Sequence, residues 1–232
     1  MNPARRSFGS KEDLALALAG AIADDLNTGL ESHGVAALAV SGGSTPKKFF
    51  SALGRRSDVD WSRVMVTLVD ERWVPETSDR SNAALVNERL LQGPAAVAKF
   101  IPLYAGGEEP DQAALARTAT QLEALPQRFD AVVLGMGGDG HTASFFPGGD
   151  NLDEALSGAG PVVSMRAPGA GEPRVTLTLS RLLETGALYL HIEGDEKAAV
   201  LDRALADGPA EDLPVRAVLR QTAAPLTIYW SP

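Results

Sequence analysis

Val35 to Val40, Val64 to Val69 and Phe129 to Leu134 are nearly continuous apolar runs, each of strand length, and helical segments separate them. A strand that apolar along its whole length is buried on both faces and needs a covering layer above and below. The pattern therefore predicts an α/β fold, with a mostly parallel, Rossmann-like β-sheet flanked by helices on both faces. Thr45-Pro46 opens a helix running through Leu53, with proline in its first turn. Helices over about Ser81–Leu91 and Asp111–Leu125 flank a short strand near Phe100–Leu103. Further strands are expected at Val162–Met165, Val175–Leu179, Ala187–Ile192 and Leu226–Trp230, with helices over Asp195–Ala206 and about Val215–Gln221. Right-handed crossovers bring the loops that follow the strands to one edge, where sheets of this kind bind ligands. The segments Gly106 to Pro110 and Ala167 to Pro173 read as surface loops rather than linkers, so residues 1–232 are expected to form a single domain.

Near the N-terminus, Arg5-Arg6-Ser7-Phe8 ahead of an alanine- and leucine-rich stretch superficially resembles a twin-arginine export signal. Lys11-Glu12-Asp13 interrupts that stretch with charge. Ser10 and Asp13 instead form an N-cap pair, opening a helix whose Leu14, Leu18, Ile22 and Leu26 recur every fourth residue. No apolar run is long enough to cross a bilayer, so no membrane partner is expected. Without cysteine the chain has neither a disulfide framework nor a thiolate metal site, which suits a reducing, cytoplasmic setting. A net charge of -9 argues against general nucleic-acid binding, although one site's local potential can oppose the global sign.

Three strand ends carry the chemistry. Ser41-Gly42-Gly43-Ser44-Thr45-Pro46 joins a strand to a helix, so backbone N–H groups there can point outward together and hold an anion. It has neither the lysine of a nucleotide loop nor dinucleotide spacing, which leaves a single phosphate as the simplest guest. The alternative is that Ser44 or Thr45 merely caps the helix. Asp70-Glu71-Arg72 follows directly on a buried strand. Arg72 there can offer planar donors to a carbonyl or its oxyanion, and Asp70 can bind sugar hydroxyls or orient a histidine; a solvated salt bridge is the alternative. Ser81-Asn82, at the next helix start, reads as a cap. Gly135-Met136-Gly137-Gly138-Asp139-Gly140-His141 uses four glycines to deliver one imidazole, beside Asp139, to the end of a buried strand. That is how a general base is presented; a strand-to-helix turn with a capping aspartate is the alternative.

Lys197 lies in the first turn of its helix, where a cation is disfavoured by about 0.3–1 kcal/mol unless an anion sits beside it. Asp195 and Glu196 are possible partners, and a bound phosphate is the other. Arg174 and Arg166 are further candidate phosphate ligands. His33 and His191 read as structural. Ser144 has no nucleophile-elbow sequence around it, which argues against a Ser-His-Asp hydrolase. Asp70, Asp139 and His141 show no metal-ligand spacing, so no metal site is expected.

Taken in order, these segments together with Thr142-Ala143-Ser144-Phe145-Phe146-Pro147, Arg174-Val175-Thr176-Leu177 and Gly194-Asp195-Glu196-Lys197 resemble the 6-phosphogluconolactonase family over nearly the whole chain. Glucosamine-6-phosphate deaminases carry related segments in the same NagB-type fold. Arg72 and the Thr-Ala-Ser-Phe-Phe-Pro tail after His141 lean toward the lactonases. The resemblance implies hydrolysis of 6-phospho-D-glucono-1,5-lactone to 6-phospho-D-gluconate, in the oxidative pentose phosphate pathway, without a required cofactor. It implies His141 as the base, Arg72 or backbone N–H groups near Gly43 or Gly138 at the oxyanion, and Asp70 or Asp139 steering hydroxyls or the imidazole. Ser44, Arg174 and Lys197 would then grip the phosphate, beside Gly42, Gly43 and Thr45. An amino-sugar phosphate deaminase and a non-catalytic sugar-phosphate sensor are the alternative readings, and monomer and dimer are both open.

Overall fold

The computed structural model describes residues 3–232. Along the chain the elements are β1 (Ala4–Ser7), α1 (Lys11–His33), β2 (Ala36–Val40), α2 (Lys47–Gly54), β3 (Val64–Leu68), β4 (Asp70–Arg72), α3 (Asn82–Arg89) and β5 (Lys99–Ile101). They continue with α4 (Gln112–Leu122), β6 (Phe129–Leu134), α5 (Leu152–Ser157), β7 (Val162–Met165), β8 (Arg174–Leu177) and α6 (Leu179–Leu183). The last four are β9 (Thr185–Glu193), α7 (Asp195–Leu205), α8 (Val215–Arg220) and β10 (Leu226–Ser231).

Seven strands form one sheet in the order β1-β10-β9-β6-β2-β3-β5, and every neighbouring pair is parallel. The central strands β2 and β6 are buried almost throughout because residues such as Ala37, Leu38, Val132 and Val133 are apolar on both faces of the pleat. Helix α1 packs on β2, β6, β9 and β10 as well as on α2. The Ser10 hydroxyl accepts from the Asp13 N–H at 3.1 Å, and Gly34 ends the helix at φ 78°, where a side chain would be strained. The stripe Leu14, Leu18, Ile22, Leu26 is fully buried. Truncating one of these, as in Leu18→Ala, is expected to cost about 2–5 kcal/mol.

Several features depart from the sequence expectation. Val162–Met165 and Val175–Leu177 do not join the parallel sheet; with β4 they form a separate antiparallel sheet in the order β4-β8-β7. No helix lies between β7 and β8, so that pair closes as a hairpin rather than a crossover. The strand also stops at Leu177, because the Thr178 hydroxyl caps α6. In addition, the Arg5-Arg6 segment is the edge strand β1, whose two guanidinium groups lie over the rings of Trp230 and Tyr229. Its exposed residues carry no apolar alternation that would mark a strand.

The order of strands places the site. After β2 the chain moves outward to β3 and β5, then returns to lay β6 on the other side of β2. The loops after β2 and β6 thus diverge around one crevice, the topological switch point where open α/β sheets bind ligands.

Candidate active site

The two switch-point loops are stitched together. Ser41 N–H donates to the Val133 carbonyl at 2.9 Å, and the Ser41 hydroxyl accepts from Gly135 N–H at 3.0 Å. Pro46 occupies the cap position of α2 and no side chain caps that helix, so the hydroxyls of Ser44 and Thr45 are not spent on capping. Gly43 has φ 92°, which glycine adopts without strain. At Gly42 a Cβ would fall 2.0 Å from Asn82 Oδ1, so only glycine lets Asn82 pack here, from where its Nδ2 donates to the Asp70 carbonyl at 3.0 Å. A cavity of about 210 Å³ opens over these loops and is walled by Asp70, Arg72, His141, Arg174, His191 and Lys197 in addition to residues 41–46.

His141 is held by its own loop. Gly140 turns at φ 77°, Gly137 N–H donates to the His141 carbonyl at 2.9 Å, and Asp139 Oδ1 lies 2.5 Å from His141 Nδ1. Burial alone would raise the Asp139 carboxyl, but the hydrogen bond and charge of His141 outweigh it and hold Asp139 below the usual carboxylate range. An ionised Asp139 accepts from Nδ1–H and leaves Nε2 as the basic nitrogen, without a hydrogen-bond partner among the described residues. The imidazole leans on Phe146, ring centroids 4.4 Å apart. A Cβ on Gly137 would come within 2.2 Å of the ring, so glycine there is what makes room for it.

The opposite wall is polar and mostly dry. Val69 still donates to β2, through Val40 O at 3.0 Å, and one residue later the chain enters the second sheet as β4. Glu71 is fully buried rather than a solvated partner: its two carboxylate oxygens accept from the N–H groups of Arg72, Asn82 and Ala83 and from the Ser81 hydroxyl, which pins the start of α3 to β4. Burial pushes the Glu71 carboxyl up, against those backbone donors. Ser81 is also the cap of α3, accepting from Ala84 N–H. Asp70 is buried, accepts from the Ser144 hydroxyl at 2.6 Å and has Arg174 Nη1 at 3.7 Å. Arg72 donates to the Arg80 carbonyl at 2.6 Å and Arg174 to the Ala170 carbonyl at 2.8 Å, while the Nε of each is buried without a partner.

At the third wall Lys197 Nζ donates to the Thr45 hydroxyl at 3.1 Å and, among the described residues, makes no ion pair with Asp195 or Glu196. Burial pushes the Lys197 ammonium down, as it does the Arg174 guanidinium, where the charge of Asp70 opposes it. Two cations short of counter-charge in one crevice favour an anionic guest. Arg166 is elsewhere, exposed and paired with Glu109, so of the two arginines Arg174 alone reaches the cavity. His191 is a buried structural histidine as expected, edge-on to Phe49 and 3.2 Å from Glu193, but it also lines the cavity. Its place two residues after Tyr189, on the β9 face turned to α1 and α2, was the available signal. Gly137 rather than Gly138 borders the cavity. Among the described residues no three His, Cys, Asp or Glu side chains converge as a metal-binding group.

The family model described as "Glucosamine-6-phosphate isomerases/6-phosphogluconolactonase" matches residues 9–230. The chain is similar to a 6-phosphogluconolactonase of Rhizobium meliloti, 54% identical and covering 93% of this chain and 95% of the relative. It is also similar to one of Mesorhizobium japonicum, 48% identical over 97% of this chain and 94% of that protein. The crystal structure of a 6-phosphogluconolactonase from Shewanella baltica superposes with a TM-score of 0.96 at 40% identity, covering 99% of this chain and 98% of that one. With the switch-point crevice, the paired imidazole and the cationic walls all in place, the chain belongs to the glucosamine-6-phosphate isomerase/6-phosphogluconolactonase family.

Proposed function

We propose that this protein is a 6-phosphogluconolactonase, hydrolysing 6-phospho-D-glucono-1,5-lactone to 6-phospho-D-gluconate in the oxidative pentose phosphate pathway. One observation carries the reading: an imidazole with a free Nε2, set by Asp139, shares a single cavity with two cations, the buried Arg174 and the half-buried Lys197. A lactone is an activated ester, so one positioned water and one base suffice and no covalent nucleophile is required. His141 Nε2 takes a proton as the water oxygen bonds to the lactone carbonyl carbon. The imidazolium then returns that proton to the ring oxygen as the carbon–oxygen bond breaks, so one water is consumed and one carboxylic acid appears, ionised at neutral pH.

Arg72 serves the oxyanion, a role worth about 3–4 kcal/mol for a well-placed donor. Asp70 takes a sugar hydroxyl. Arg174 and Lys197 hold the phosphate with Ser44, Thr45 and the N–H groups of Gly42 and Gly43, and that remote binding orients the carbonyl. Residues 1–232 act as one domain, a reading supported by the pairing of β1 with β10, which joins the two ends of the chain in one sheet. The reaction is assigned to the cytoplasm and to metal-independent chemistry, in keeping with a chain free of cysteine and with an ester that needs no Lewis acid. No helix among the described residues is long and apolar enough to cross a membrane, and the acidic net charge disfavours nucleic acid.

The test is lactone loss measured against spontaneous hydrolysis, with phosphorylated and plain gluconolactone side by side. Acceleration confined largely to the phosphorylated lactone is expected; ammonia release from glucosamine 6-phosphate, without lactone turnover, would reassign the protein to the deaminases.

A further inference from the structure

Ser144 is a fully buried polar side chain behind Asp70, which lines the cavity, and it has no part in the chemistry above. Its hydroxyl donates to Asp70 Oδ2 at 2.6 Å, and its N–H reaches Thr176 Oγ1 on β8 at 3.4 Å. The same Oδ2 stands 3.7 Å from Arg174 Nη1, beyond hydrogen-bond reach. Arg174 is left with the Ala170 carbonyl, the face of Phe146 and an Nε that has no partner.

Asp70 and Arg174 are each less than a tenth exposed. Opposite charges this dry attract strongly, and a guanidinium and a carboxylate free to turn would close into a forked, doubly hydrogen-bonded pair. The Ser144 hydroxyl competes for the oxygen such a pair would use. We propose that Ser144 is a positioning residue that holds Asp70 out of a closed ion pair with Arg174, keeping the guanidinium's free edge for an incoming phosphate and Asp70 Oδ1 for a sugar hydroxyl. The inference rests on the assignment of the phosphate to Arg174. Without the hydroxyl, Asp70 turns onto Arg174, and the ligand's phosphate must displace an internal carboxylate.

Binding of inorganic phosphate, followed by titration calorimetry, tests this on the wild type, Ser144→Ala, Asp70→Asn and the double variant. Ser144→Ala is expected to weaken phosphate binding about tenfold or more, the scale of one charge-assisted hydrogen bond. In the Asp70→Asn background the same change should have little effect, because no carboxylate remains to turn. The preference for phosphorylated over plain gluconolactone should fall in Ser144→Ala by the factor lost in phosphate affinity, a ratio that mere loss of stability does not move. Ser144→Cys, a much weaker donor of similar shape, should reproduce the loss and serves if the alanine variant does not fold.

Wild-type phosphate affinity in Ser144→Ala or Ser144→Cys, or an equal loss with and without Asp70, overturns the proposal. A wild type that binds phosphate and shows this coupling, yet turns over no lactone, defeats the proposed reaction alone. A wild type that binds no phosphate overturns both.

Discussion

Arg72 and Arg174 stand directly opposite each other across the β4–β8 ladder, both lining the cavity and each with a buried Nε that no hydrogen bond satisfies. Like charges facing one another across an antiparallel pair are destabilising, and desolvation adds to the cost. Asp70, two residues before Arg72, is the nearest counter-charge, at 3.7 Å from one guanidinium. The fold thus holds two positive charges side by side in the cavity wall, an arrangement that an anionic guest would relieve.

A guest that relieves this repulsion should stabilise the protein. Inorganic phosphate at a hundredfold its Kd is expected to add about 2.7 kcal/mol to unfolding, raising Tm by roughly 5–10 °C for a chain of this size. Arg174→Ala and Lys197→Ala should each lose most of that shift and chiefly raise KM for the lactone, with kcat closer to wild type. Melting curves indifferent to phosphate would remove the anion site.

The imidazole makes the sharpest kinetic prediction. His141→Ala should lower kcat about 10² to 10⁴-fold with little change in KM, read from initial rates above the spontaneous background. Asp139→Asn, which removes the charge that holds the Nδ1–H tautomer, should lower kcat by less. Near-normal turnover in the alanine variant would end the assignment of the base.

Gly137 is a test of geometry rather than of chemistry. A methyl group there lies 2.2 Å from His141 Cε1 and Nδ1, so the ring must swing off Asp139 or the loop must move. Gly137→Ala should keep its circular dichroism, lose about 1–3 kcal/mol of stability from the added atom, and fall in kcat at least as far as Asp139→Asn. A fully active Gly137→Ala would mean that the imidazole does not have to stay on Asp139.

The loop over Arg72 gives a pH dependence. Arg80, whose carbonyl accepts from Arg72, forms a forked pair with Glu172 at 2.9 and 3.2 Å, and this hydrogen bonding pulls the Glu172 carboxyl from 4.5 down to about 2. A folded-state value below the unfolded one means stability that is full above 4.5 and fades as pH falls toward 2. Because both side chains are partly exposed, Glu172→Gln should cost less than about 1 kcal/mol at neutral pH. In urea unfolding the gap between wild type and variant should close over that acid window; a gap that stays constant would show that the pair's charge contributes nothing.

The sequence by itself determined the alternation of strands and helices, the capped start of α1 at Ser10 and Asp13, and the three strand ends that carry Gly43, Asp70 and His141. Those features are written in local periodicity, in capping residues and in glycines, each legible within a few neighbouring positions. Only the tertiary structure decided that β4, β7 and β8 leave the main sheet, that Arg174 turns inward while Arg166 pairs with Glu109, and that Ser144 reaches Asp70. It also drew His191 into the cavity wall. The reason is that a strand's partner, and a polar side chain's burial, depend on segments far away in the chain: Ser144 and Asp70 are 74 residues apart. Periodicity says which face of an element is apolar, and packing against distant elements chooses what that face meets.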